Sequence, residues 1–169
     1  MRWGPLFSTK NEIPIIHIIE NDDRGDIMFT VRQGDKVDFP IIKRFIEQSE
    51  AAYDEGSVFI LVENEKKEIL CVVGLQVKEQ IGFLRSFVFS PAFPAEKLSV
   101  FFEKVLTIAG EGGCQSLFLA SNKRQTITFF EAFGFMEIDQ DNLPEKLKLS
   151  TAYQTISCQN NVFFMWKTV

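Results

Sequence analysis

TFFEAFGFMEI, residues 128–138, is the stretch on which the fold turns. Read with the two residues before it, TITFFEAF is a short helix broken by Gly134, and FMEI is a strand that follows at once. Working backwards, CQSLFLA (114–120) is a β-branched and aromatic run of strand type. Before it, Leu98, Phe101, Phe102, Val105, Ile108 and Ala109 fall on one helical face; Pro94 opens this helix and GEGG (110–113) stops it. Three further runs precede it, SVFILVENE, KEILCVVGLQVKEQ and GFLRSFVFS. Polar segments separate them, ENEKKE (63–68) being the plainest hairpin turn, so the three predict an antiparallel meander.

Further out, IMFTVRQ (27–33) reads as a strand. Asp38-Phe39-Pro40 opens an amphipathic helix in which Ile42, Phe45 and Ile46 recur at helical spacing. Downstream, LPEKLKLSTAYQTISCQ (143–159) reads as a connection to a last strand, NVFFMWKTV (161–169). The pattern predicts an α/β (α+β) protein: a mixed, mostly antiparallel sheet with helices on both faces. Residues 1–26 stand apart as an N-terminal extension, in which IPIIHII (13–19) could add an edge strand or cover a cleft. Residues 27–169 form a single domain.

Composition narrows the function classes. The 169 residues are 46% hydrophobic and 24% charged, close to the globular average, so the chain can bury a core. Phe is unusually frequent at 18. A net charge of −5, with no block of Lys and Arg, argues against a nucleic-acid partner. No apolar stretch at the N-terminus is long enough to span a bilayer, and a cytoplasmic protein is the expectation. Cys71, Cys114 and Cys158 are odd in number, widely spaced and without a histidine cluster, which argues against disulfides and metal. Cys158 has no base beside it, and the single histidine, His17, has no orienting partner in sequence.

The element order together with three local patterns resembles the GNAT superfamily of N-acetyltransferases. The patterns are FLRSFVFSP (83–91), matching the family's fourth strand and its V-x-P end; the strand CQSLFLAS; and TFFEAFGFMEI, matching the A-x-x-F-Y-x-x-x-G-F helix-to-strand signature. The tail from Leu143 also looks like a subgroup related to amino-acid N-acetyltransferases. The resemblance implies a GNAT-like domain over 27–169. It further implies acetyl-CoA or another acyl-CoA held where the fourth and fifth strands splay apart, with no metal, and a small-molecule amine as acceptor. Pantetheine would pair with backbone near Phe87 and Phe89. This has a physical basis, because its amides are spaced like a peptide's and can complete an open strand edge.

By this resemblance the pyrophosphate turn, Q/R-x-x-G-x-G/A in the family, falls on Pro94-Ala95-Glu96-Lys97-Leu98-Ser99, where only Ser99 is near expectation. The turn is degenerate. Pro94 donates no N–H, Glu96 adds negative charge, and the expected phosphate contacts reduce to the N–H groups of Lys97, Leu98 and Ser99 and the Lys97 side chain. The position of the family's frequent Tyr acid holds Phe130, which with Phe129 is expected to line the pantetheine arm. Arg85 and Ser86 flank the acyl position. On an alternating strand they face opposite sides, so one of them enters the cleft; Arg85 there could hold a carboxylate of an amino-acid-like acceptor. Glu79 and Glu63 are the acids available as base. The alternative is a non-catalytic GNAT-like module that has lost CoA binding. In either case the apolar pattern on both faces of NVFFMWKTV could form a homodimer contact.

Overall fold

The computed structural model describes residues 16–22, 25–49, 51, 53–159 and 161–169. The elements run β1 (Ile16–Asp22), β2 (Gly25–Gln33), α1 (Phe39–Gln48), β3 (Val58–Glu63), β4 (Ile69–Lys78), β5 (Ile81–Phe89), α2 (Leu98–Glu111), β6 (Ser116–Ser121), α3 (Arg124–Glu131), β7 (Met136–Ile138), α4 (Glu145–Lys148), α5 (Thr151–Ser157) and β8 (Phe163–Thr168). Single 3₁₀ turns at Lys36–Asp38 and Ala95–Lys97 lead into α1 and α2. One eight-stranded sheet results, in the order β1-β2-β3-β4-β5-β6-β8-β7. Among the described strands only β5 and β6 run parallel; the crossover helix α2 between them makes that possible.

The meander follows from local chemistry. At the β3–β4 turn, Asn64 Oδ1 accepts from the Lys66 and Glu68 N–H groups while Lys67 takes a positive φ of 63°. The sheet begins at Ile16, inside the stretch read as an extension. Residues 16–19 of IPIIHII therefore belong to an edge strand, and residues 1–15 lie outside the described residues.

Side chains alternate between two covered faces. On one, Ile60, Val73, Leu75, Leu84 and Met165 pack under α2 and α3. On the other, Phe59, Leu61, Val72 and Val88 pack under Ile42 and Ile46 of α1, while Phe83, Phe118 and Phe164 pack under α4 and α5. The region 143–159, read as a connection, therefore holds two short helices. Ser150 caps the second, its Oγ accepting from the Tyr153 N–H at 3.1 Å. The pattern in NVFFMWKTV that suggested a dimer face has an intramolecular cause: β8 is an interior strand, with Phe164 buried on one face and Met165 on the other.

In the opening motif, α3 ends as its sequence demands. The Phe135 N–H donates to the Phe130 carbonyl, the two rings stand 5.4 Å apart, and Gly134 adopts φ +88°. A Cβ there would meet only the flexible end of Lys167, at 2.7 Å, so the cost of a side chain is backbone strain. Gly134→Ala is expected to destabilise by about 1 kcal/mol, read as a denaturant midpoint shift. A shift near zero would show that this turn relaxes out of the left-handed region.

Candidate active site

Strands β5 and β6 meet only at their starts. Ile81, Gly82 and Phe83 pair with Ser116, Leu117 and Phe118; beyond that point each strand continues bound only to its outer neighbour, β4 or β8. The inner edge of β5 from Leu84 to Phe89 is thus open to hydrogen bonding with something other than a strand. Just past the fork, Gly74 pairs with Ser86 and Leu75 with Leu84, leaving Arg85 as the extra residue of a β-bulge.

The bulge overturns the expectation that Arg85 and Ser86 face opposite sides, because an extra residue breaks the two-residue alternation. Ser86 lies opposite Gly74 on the α1 face. A Cβ on Gly74 would stand 3.1 Å from the Phe59 ring and 3.2 Å from Ser86 Cβ, so glycine is what lets these two approach. The Arg85 guanidinium turns to the same face, 5.5 Å over the ring of Phe83, which is buried beneath α4 and α5. Its Nε donates to Asp54 Oδ2 at 2.8 Å with the Arg85 side chain only 11% exposed. Arg85 is therefore held on that face by an acid of the chain itself. Asp54 is the functional candidate that sequence reasoning missed: it lies 31 residues from Arg85, in a stretch with no motif.

Tyr53 and Glu55, the chain neighbours of Asp54, join Phe39, Pro40, Lys43, Gly56, Ser57 and Phe59 in lining a cavity of ≈ 580 Å³. In its wall Tyr53 stacks on the buried ring of Phe59, with centroids 5.4 Å apart. Burial raises the Tyr53 hydroxyl pKa above the ordinary phenol value.

On the α2–α3 face the expected cofactor contacts are gathered at the open edge. Phe87 packs against Phe102 (5.5 Å), Phe129 (5.8 Å) and Phe130 (6.0 Å), bridging the two helices, while Phe89 is 45% exposed at the outer end. At the start of α2 one expectation changes. The 3₁₀ turn engages the Lys97 N–H with the Pro94 carbonyl at 2.9 Å, removing one of the three N–H groups expected for phosphate. The Leu98 side chain is buried in the core and Ser99 is exposed. The open β5 edge leaves backbone groups that could pair with the amides of a pantetheine arm, and the helix start offers a phosphate fewer N–H donors than a glycine-rich turn supplies.

Neither acid named from sequence reaches the cleft. Glu79 sits at the exposed β4–β5 turn paired with Lys146, whose hydrogen bond holds its carboxyl below the usual range. Glu63 is buried and bonded to Arg32, which also forms a bidentate pair with Asp38 at 2.8 Å on both arms. That Arg32 contact holds the Asp38 carboxyl well below its ordinary value. Burial pushes the Cys71 thiol far up and the Cys114 thiol up to about 11, so both stay protonated. Among the described residues no helix is long and apolar enough to cross a membrane, and no cluster of His, Cys, Asp or Glu could hold a metal ion.

Compared as sequence, the chain matches no family model and no curated protein. Compared as structure, it is similar to N-acetylglutamate synthase from Neisseria gonorrhoeae, complexed with coenzyme A and N-acetyl-glutamate. The TM-score is 0.65 and the identity 19%, over 83% of this chain and 35% of the synthase, so this chain spans about a third of that protein. It is similar to Rv2747 from Mycobacterium tuberculosis, in complex with CoA, at TM-score 0.64 and 16% identity over 82% and 98% of the two chains. It is also similar to a GNAT-family acetyltransferase from Staphylococcus aureus, at 0.61 and 15% over 83% and 98%. The chain has the GNAT fold, as the sequence resemblance implied.

Proposed function

We propose, on the premise of that fold, that this chain is an acyl-CoA-dependent N-acyltransferase moving an acetyl group from acetyl-CoA to a small amine by direct attack in a ternary complex. The observation that carries this reading is the fork itself, an unpaired β5 edge next to a bulge at Arg85, whose side chain is bonded to Asp54. The open backbone at Phe87 and Phe89 holds the pantetheine amides, with Phe129 and Phe130 against the arm and the α2 start, through Leu98, Ser99 and the Lys97 side chain, nearest the phosphates.

In the transfer, the amine nitrogen forms a bond to the thioester carbonyl carbon, the carbon–sulfur bond breaks, and sulfur leaves with the electron pair. Asp54 is the carboxylate placed to take the proton the amine gives up, and Arg85 positions it through Nε. Phe130 cannot donate a proton, so the departing thiolate takes its proton from solvent. Backbone N–H groups exposed by the bulge are the donors available to the carbonyl oxygen as charge develops there.

Isothermal titration with acetyl-CoA and with CoA tests the reading. Binding in the micromolar range is expected, weakening at moderate salt because the phosphates contribute through charge. No binding at millimolar CoA would overturn the transferase reading and leave a GNAT-fold module that has lost its cofactor.

A further inference from the structure

The end of the β5 edge that lies away from the fork bears on how the cofactor is held, an inference that rests on the transferase reading. We propose that the adenine of acetyl-CoA stacks on the ring of Phe89, which supplies affinity for the nucleotide half that the start of α2 lacks.

The two ends of the open edge differ. The bulge at Arg85, bonded to Asp54, marks the end where the thioester reacts. From Arg85 the edge runs about 13 Å to Phe89, the last residue of β5. The turn at residues 94–97 and the start of α2 come next in the chain. A pantetheine arm laid along this edge with its sulfur at the bulge therefore brings the diphosphate and the base to the Phe89 end.

Two observations single out this ring. The first is exposure. Of the phenylalanines among the described residues, Phe89 is the one left exposed, at 45%. It lies on the α2–α3 face, since its strand partner is Cys71 of the core on that side. Phe87 meets it at 6.2 Å with the ring planes 69° apart, and is itself packed against Phe102, Phe129 and Phe130. The core thus holds the Phe89 ring from one side and leaves the rest of it open to a ligand. Adenine is flat and offers a π-face, and a base stacked on one aromatic side chain gains about tenfold or more in affinity.

The second is the phosphate turn. Pro94 has no N–H, the Lys97 N–H is engaged by the Pro94 carbonyl at 2.9 Å, and Glu96 is an exposed acid. A diphosphate meets few donors there, and the acid opposes its charge. Retention of the nucleotide half then falls to an uncharged contact, and Phe89 is the flat surface at that end of the edge.

The test is a double cycle of titrations, with acetyl-CoA and with S-acetyl-4′-phosphopantetheine, which lacks the adenosine, on the parent chain and on Phe89→Ala. Folding of the variant is checked by circular dichroism. Phe89→Ala is expected to weaken acetyl-CoA by about tenfold and the shortened thioester by less than about twofold. Phe89→Trp, with a larger stacking surface, is expected to bind acetyl-CoA at least as tightly as the parent. In NMR spectra the adenine ring protons of acetyl-CoA are expected to move upfield on binding to the parent and not on binding to Phe89→Ala. Equal weakening of the two thioesters, no weakening of acetyl-CoA, or no upfield shift with the parent overturns the inference. Each of these leaves the transferase reading standing, because acetyl-CoA has then bound. No binding of acetyl-CoA to the parent at millimolar concentration overturns both.

Discussion

Phe102→Ala is expected to lower the unfolding free energy by about 4 kcal/mol, seen as a lower urea midpoint at unchanged slope. Phe102 has no exposed surface and its ring meets those of Phe87, Phe130, Phe133 and Phe135 at 4.8 to 6.1 Å. These partners come from β5, α3 and the turn after α3, so truncation removes contacts to three elements at once. The rings cannot all move in to fill the gap, since each also holds another neighbour. Phe89→Ala, on the same aromatic patch but 45% exposed, is the comparison and is expected to cost less than about 1 kcal/mol. If Phe102→Ala cost under about 2 kcal/mol, the cluster would be collapsing around the void and the bridge from α2 to α3 would be looser than its ring contacts indicate.

The second large effect is expected at Arg32. Its side chain, 24% exposed, sits between Asp38 and Glu63, which are 15% and 8% exposed. Replacing it by methionine keeps much of the volume but leaves two carboxylates facing each other without a cation. Removing one partner of a buried pair costs about 3–5 kcal/mol in general, and the partial exposure of Arg32 places the expected loss at about 3 kcal/mol near pH 7. Acid distinguishes this cause from lost packing. In the parent chain the Asp38 pKa is lowered by folding. Its contribution to stability is therefore complete above the unfolded carboxylate value, about 3.9, and is lost as pH falls below that. In the variant, protonating the carboxylates relieves repulsion, so the stability gap between the two chains should narrow as pH drops from about 7 towards about 4. A gap of constant size across that range would assign the loss to packing. The network also fixes the start of α1, because Asp38 precedes Phe39 and Pro40, two walls of the cavity.

Much of the fold was legible because its signals are local. The 128–138 motif carries its own helix, stop and strand within eleven residues, and the meander is punctuated by a turn whose Asn64 does the folding. The departures come from pairings that sequence order hides. Whether Arg85 alternates or bulges depends on the register of β4 against β5, which no single strand encodes. Asp54 becomes a site residue only through a contact 31 positions away. Glu63 looks like a solvated hairpin charge until Arg32 and Asp38 are brought to it by β2 and α1. The two-sided apolar pattern of β8 was visible, but its covering layers lie elsewhere in the chain. In 143–159 a local signal does exist: Ser150 before TAYQ is a helix cap, and Pro144 opens the turn before it.

Strand β8 enters the sheet between β6 and β7, so the growing chain cannot close its own sheet on the ribosome until that strand emerges. Among the described strands β7 pairs with β8 alone, and β6 beyond Phe118 likewise pairs only with β8. At ordinary rates of translation, roughly 5–20 residues per second, Leu117 to Ala120 wait seconds beside an empty slot. Through that interval an extended apolar segment keeps an unpaired edge, the kind of edge on which foreign strands add.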